Sequence, residues 1–541
     1  MKVAGLFFGR ARARGGNWRQ PTRIGAGNMW SSANLFLSLI FLAILSTSAD
    51  AQRGNHHHPP PPPPPPPPPW SGAVEKPGPS AALFAAPFYS CARNFYVATN
   101  GSDGNAGTQD APWQTIQRAD SAVQAGDCVN VQPGTYPSGA NVTRGGNAPT
   151  PTGYVVYRCT QLNACKITAG GFVGRGFFVA GPNGVGPGFV VIDGFELAAS
   201  SYGTYGVGIA LGNANFPNAA GAHHVWVLNN VIHGYGQGGI ATGMGEFYYF
   251  LHNTIYDNAR VTCDAQGSGI SIWEPSPVPG YDPSGMDLTY APPFRNVISF
   301  NVTNNNALTQ CGTAANRYDT DGNGIIMDTF QNTFTGVTYP YQTLVSFNIS
   351  YNNGGGGIHV FKSSNITIAN NTAFNNQIDP FNNGTVRPQI DVIVGDNNVI
   401  INNIAYGVPA TTASDPRCEH TQPCTITFVG AFAGANYGLG TDNNNVWQNN
   451  VSFIPGSSNG SENDMFDGDA GKYTCTANEC STDPLFVAPS SVTTLACSVN
   501  DPGDFALQAG SPALGYAQPQ SYLPSWTKDT GACDSSLAAC P

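Results

Sequence analysis

LNNVIH (228–233), LHNTIY (251–256), SFNVTN (299–304), SFNISY (346–351), ANNTAF (369–374), INNIAY (401–406) and QNNVSF (448–453) share one pattern. Each sets an Asn (Asn230, Asn253, Asn301, Asn348, Asn371, Asn403, Asn450) into an alternating apolar strand. The closest of these Asn, Asn230 and Asn253 or Asn348 and Asn371, are one solenoid coil apart, and wider gaps read as a coil plus an insertion. Gly208, Gly239, Gly269, Gly324 and Gly357 each precede an Ile that opens a second strand, and from Asn230 to Asn371 one such Gly-Ile pair stands between each two successive Asn. Each coil therefore reads as one Asn strand and one Gly-Ile strand joined by turns. Stacked coils bury each other's apolar faces and form parallel sheets. Asn at the same turn of every coil can make an amide ladder that satisfies buried backbone groups. The expected fold is all-β, a parallel β-helix.

Composition agrees. The 541 residues include 65 Gly and 43 Pro, and only 10% are charged, against about 25% in an average soluble protein. Helical bundles and coiled coils are excluded by that balance. The net charge is -11. Six of the 22 bases and one of the 33 acids lie in residues 1–51, so the remainder is more acidic still. No basic footprint for nucleic acid is present.

Residues 35–47, LFLSLIFLAILST, form an apolar run behind a basic leader, with small Ala49 and Ala51 after it. Residues 1–51 read as a secretory signal peptide, and no second hydrophobic span follows. The expected location is secreted, periplasmic or cell-surface, with no membrane span after cleavage. Residues 52–90 carry His56, His57 and His58, then Pro59 through Pro69, a stiff polyproline spacer. Residues 91–517 are the expected β-helix domain and 518–541 a C-terminal tail. The 13 Cys suit an oxidising compartment. Short-range candidate pairs are Cys159/Cys165, Cys418/Cys424, Cys475/Cys480 and Cys533/Cys540, the last two giving a disulfide-rich C-terminal segment. Cys263/Cys311 is a long-range candidate.

FYVATNGSDGNAGTQDAPWQTIQRADSAVQAGDCVNVQPGTY (95–136) resembles the entry motif of secreted right-handed β-helix proteins of the pectate-lyase superfamily. In that motif a Gly-Ser-Asp-rich loop leads to Pro-Trp-x-Thr-Ile, and a short capping helix precedes the first coil. Asp483-Pro-Leu-Phe and the segment from Asp504 to Ala513 are similar to the closing segment of that group. The resemblance implies the fold and a carbohydrate partner. The reaction stays open, because the superfamily holds lyases, hydrolases, epimerases and proteins without known activity. DGNGIIMD (321–328) is similar to a Gly-Asn-Gly-Phe-Lys segment of family-nine pectate lyases, whose Lys is the base. Ile326 stands at that position here.

Aligned Gly-Ile strands give columns. One reads Ala210, Ala241, Ser271, Ile326, His359; another Gly212, Gly243, Trp273, Asp328, Phe361; the next Asn213, Met244, Glu274, Thr329, Lys362. With Ile inward, the first two columns face outward. Insertions at 274–295, 303–321 and 329–341 fall on the coils with functional side chains, so they read as groove walls. A polymer would lie along the axis over Trp273 and Phe361, with Tyr281 or Tyr290 for stacking and Arg295 or Arg317 for substrate carboxylates. Asp319, Asp321 and Asn323, followed by Gly324, resemble the first half of a calcium loop. Asp328 and Glu274 form a candidate acid and base for hydrolysis. His359 or Lys362 is the candidate base for a lyase that abstracts a proton beside a carboxyl group. The resulting expectation is a secreted, monomeric polysaccharide lyase acting on an acidic glycan, calcium-assisted. A neutral-glycan hydrolase and a non-catalytic glycan-binding module are the rivals.

Overall fold

A computed structural model describes residues 89–541 apart from 169–174, 181–185, 200–205, 213–220, 261–266, 279–293, 309–320, 332–335, 380–387, 408–430, 436–439, 456–464, 469–473, 475, 491–502, 525–526 and 536–539. Three parallel sheets run the length of the described chain, with eleven, ten and ten strands. We call them the first, second and third sheet. One coil shows the order. Glu246–Leu251 lies in the first sheet, Thr254–Tyr256 in the third, and Ile270–Trp273 in the second. Phe294–Ser299 then begins the next coil in the first sheet. This is the parallel β-helix expected from the repeat, right-handed as the resemblance implied.

Each coil has three strands rather than two. The Asn patterns that read as single strands break at the Asn. Leu228 ends a first-sheet strand, and Val231–His233 is the next strand, in the third sheet. The residue before each Asn has left-handed backbone, including Asn229 (φ 55), Phe300 (φ 58), Asn370 (φ 56) and Asn402 (φ 59). Asn tolerates that region better than other side chains, which explains the Asn doublets.

The Asn column forms the expected ladder. Asn348 donates from its backbone N–H (2.9 Å) and its Nδ2 (3.0 Å) to Oδ1 of Asn371. Its Nδ2 also reaches the Ile298 carbonyl at 2.8 Å, and its own Oδ1 accepts from Asn301. Asn230, Asn253, Asn301, Asn371, Asn403 and Asn450 continue the arrangement. A second ladder stands at the next turn, through Asn258, Asn306, Asn353, Asn376 and Gln389.

Inside, the sheets meet through fully buried residues such as Phe250, Ile255, Ile270 and Ile298. Each contributes roughly 1.5–3 kcal/mol by leaving water. At the N-terminal end Thr115 caps the short helix Ile116–Asp120 and accepts from the Arg118 N–H. Ile116 and Ala119 join the same core. Trp113 stacks on Phe95 and donates to the Asn105 carbonyl at 2.9 Å. Gly107 (φ 77) passes so close to the Trp113 ring that a Cβ would stand 2.5 Å from it, so only Gly fits.

The outer face of the third sheet is apolar and covered. Ile349, Tyr351, Phe374, Ile404 and Val451 pack under Phe486, Phe505, Ala513 and Ala532 of the C-terminal segment. Residues beyond 517 are tied to the coil turns. Asn402 exchanges hydrogen bonds with Gln518, and the Gly531 N–H donates to the Asn402 carbonyl at 2.8 Å. Disulfides join Cys159 to Cys165 and Cys533 to Cys540, as the spacing suggested, and also Cys91 to Cys128. Cys480 is disulfide-bonded too. Cys263, Cys311, Cys418, Cys424 and Cys475 lie outside the described residues.

Candidate active site

The second sheet carries the site. Ile270, Ile272, Ile325, Met327, Ile358 and Val360 point into the core. Alternation therefore turns Ser271, Trp273, Ile326, Asp328, His359 and Phe361 outward. The register aligns them coil on coil. Ser271 pairs with Ile326 and Ile326 with His359, while Trp273 pairs with Asp328 and Asp328 with Phe361. The next strand extends the columns, with Asp391 beside His359 and Ile393 beside Phe361.

These outward groups are not freely exposed. His359 is 3% exposed, Glu274 1% and Asp391 0%, and Asp328 is partly exposed. His359 Nδ1 hydrogen-bonds Asp391 Oδ1. Its ring lies nearly parallel to Phe361, with centroids 6.0 Å apart. Asp328 accepts from the Thr329 hydroxyl at 2.7 Å. Burial pushes the Asp328 carboxyl up from 3.8 to about 6, and the negative charges of Asp321 and Glu274 act in the same direction. The Thr329 hydrogen bond and His359 oppose them. So Asp321, Glu274 and His359 all act electrostatically on Asp328.

The edge of this surface is strained. At the end of successive second-sheet strands, Met244 (φ 57), Glu274 (φ 45), Thr329 (φ 54), Lys362 (φ 46) and Val394 (φ 62) are all left-handed. For β-branched Thr and Val that conformation is a true outlier, costing on the order of 1–3 kcal/mol. The stacked coil holds it, for the Glu274 N–H donates to the Asp328 carbonyl and the Lys362 N–H to the Ile393 carbonyl. Lys362 Nζ stands 5.1 Å from the Phe361 ring centroid.

The remaining candidates divide. Tyr281, Tyr290, Arg317 and Asp319 lie outside the described residues. Trp273 is on the outward column, one register position from Asp328. Arg295 sits elsewhere: it is 1% exposed and ion-paired at 2.5 Å with fully buried Glu246 of the first sheet. Tyr339 and the Val278 N–H also donate to Glu246. A guanidinium committed in this way braces the insertion base instead of lining the groove. Asn323 is committed as well. Its Oδ1 accepts from the Gly356 N–H at 2.8 Å and its own N–H donates to Ser268. Among the described residues no three His, Cys, Asp or Glu side chains converge to hold a metal. The described residues thus do not make a calcium cage by themselves, and Asp321 is the described carboxylate of that loop.

Sequence reading missed Asp391 and Glu246. The Asp391 coil opens with Gln389-Ile390 instead of Gly-Ile, so it dropped out of the alignment. Gln389 ends the second amide ladder, a role no Gly could fill.

The chain is similar to known proteins over parts of its length. The family described as "Protein of unknown function (DUF1565)" matches residues 99–142. Pectate lyase PEL9 of Emericella nidulans is 42% identical over 77 residues, 14% of this chain and 19% of that protein. The match therefore spans about a fifth of the relative's length. Among solved structures, pectate lyase Pel9A is 15% identical, covering 82% of this chain and 97% of that one with a TM-score of 0.37. A rhamnogalacturonan lyase is 13% identical, covering 77% and 97%, with a TM-score of 0.38. Among the described residues no helix is long and apolar enough to cross a membrane. Its three parallel sheets make the chain a parallel β-helix protein, and a stretch of 77 residues in it is similar to pectate lyase PEL9.

Proposed function

We propose that this chain is a secreted polysaccharide lyase that cleaves an acidic glycan by β-elimination. The observation that carries the reading is His359 on the outward column beside a carboxyl, Asp328, that burial keeps protonatable near neutral pH. In the proposed step His359 Nε2 takes the proton on the carbon next to the uronate carboxyl. That electron pair forms the new C=C bond as the glycosidic C–O bond breaks. Asp328 gives its proton to the leaving oxygen. An acid with a raised pKa suits that role. Ile326, where family-nine pectate lyases resemble this chain but carry Lys, is the register partner of His359. The base function would then sit one coil further along the same column.

Lys362, at the edge of Phe361, would pair with the substrate carboxylate, and Trp273 and Phe361 would support the sugar faces. Calcium is given no site in this proposal, because among the described residues no group of three or more His, Cys, Asp or Glu converges to hold it. No step above depends on it. Observed disulfides suit a secreted protein.

One observation favours a second reading. The same protonatable Asp328, with Glu274 acting on it, is the acid and base pattern of a glycoside hydrolase on a neutral glycan. Product analysis separates the two. Incubation with pectate, alginate and chondroitin should give unsaturated uronate ends from an acidic glycan, read by ultraviolet absorbance, and neutral glycans should give none. New reducing ends without that absorbance would replace the lyase by the hydrolase. Retention on a glycan without cleavage would leave a binding module.

A further inference from the structure

Asp391 is a buried carboxylate where the fold does not need one. In the same outward column the coils from Phe178 to His359 carry Ala210, Ala241, Ser271 and Ile326 between them, and Ala433 follows Asp391. Small or apolar residues therefore suffice for the strand. Asp391 is 0% exposed, and a buried charge with few partners is costly. Among the described residues its Oδ1 binds His359 Nδ1, while its Oδ2 is buried with no hydrogen-bond partner. A carboxylate kept at such a cost, with a single side-chain partner, acts on that partner.

We infer that Asp391 is a positioning residue for His359. An ionised carboxylate only accepts hydrogen bonds, so it selects the imidazole form with a proton on Nδ1. Nε2 then carries the lone pair. The ring plane is fixed from two sides, by Asp391 on the next coil and by Phe361 on its own strand. A base in the other tautomer would present an N–H where it must take a proton. Asp391 does not touch the sugar in this account. It works through His359, and the inference rests on the reading of His359 as the base.

The test uses the full chain, with the His359 imidazole nitrogens followed by NMR and identified by their loss in His359→Gln. Wild type should show the proton on Nδ1. Asp391→Asn can offer an amide N–H to Nδ1 and should invert the tautomer. Its kcat on the glycan that the wild type cleaves should fall by about 100-fold or more, the usual size of a general-base contribution. KM should stay within about twofold. Asp391→Ala guards against misfolding. It copies the residue found at Ala241 and Ala433, so its melting temperature should match or exceed wild type while kcat falls.

An unchanged tautomer in Asp391→Asn overturns the inference. So does an inverted tautomer with full kcat. A loss of kcat that merely follows a lowered melting temperature in both variants also overturns it, since that is what a structural ion pair would give. If the wild type turns over no glycan, the lyase reading fails by itself, and the nitrogen signals still decide whether Asp391 sets the tautomer.

Discussion

In the proposed reaction Asp328 would serve chemistry against stability. Its folded pKa is raised to about 6, so the native state holds a proton that the unfolded chain releases near 3.8. The native state binds more protons over this interval. Its contribution to stability is therefore full below about 4 and is lost as pH rises through about 6. Asp328→Asn should leave the melting temperature unchanged at pH 4 and raise it at pH 7, while activity falls at least about 100-fold. Activity that needs the protonated acid should decline above pH 6. Thr329→Val removes the hydrogen bond that lowers the Asp328 pKa, so the alkaline limb of the pH–rate profile should move upward. Asp328 and His359 were legible in the sequence because strand alternation and charge scarcity isolate them. Asp391 was not, since its coil lacks the Gly-Ile marker. Arg295 was misleading for a related reason: its partner Glu246 lies 49 residues earlier, and sequence spacing says nothing about a contact between coils.

The turn is the element that specifies this fold. Each Asn doublet does two tasks, the first residue taking left-handed backbone and the second joining the ladder. Asn348→Ala leaves the N–H and Nδ2 of Asn301, and the Ile298 carbonyl, without their partner. At about 1–3 kcal/mol for each buried unsatisfied group, urea denaturation should show a loss of several kcal/mol. Asn348→Asp keeps the acceptor but removes the Nδ2 donor to Asn371 and Ile298, and should be no better than Ala despite equal size. The period and the Asn column could be read from sequence because every coil repeats them. That each pattern splits into two strands could not, because LNNVIH keeps its apolar alternation through the bend. The second ladder was hidden because its members, Asn258, Asn306, Asn353 and Asn376, lie outside the apolar pattern.

Across the molecule, three sheets leave outer faces that need different covers. The second sheet carries polar side chains such as Asp328, His359 and Asp391 on its outer columns, whereas the third buries Ile349, Tyr351, Phe374, Ile404 and Val451 under the C-terminal segment. Uncovering those five side chains would cost roughly 8–15 kcal/mol, comparable with the whole stability of a domain, about 5–15 kcal/mol. Truncation before Asp483 should thus give an insoluble chain or one that melts far below wild type, measured by thermal unfolding. The sequence marked this closing segment by resemblance, but its docking face depends on which strand faces outward, and a spacing cannot tell that. The acidic charge of the chain, a net -11, sets a harder question for a uronate substrate, since like charges repel. The central claim meets its most direct test in the initial rate of ultraviolet-absorbing unsaturated product from acidic glycans, with wild type, His359→Ala and Asp328→Asn side by side. The account predicts product from wild type and at least about a 100-fold loss in each variant, with the fold retained. Equal rates in wild type and His359→Ala, or reducing ends formed with no absorbance, would contradict it.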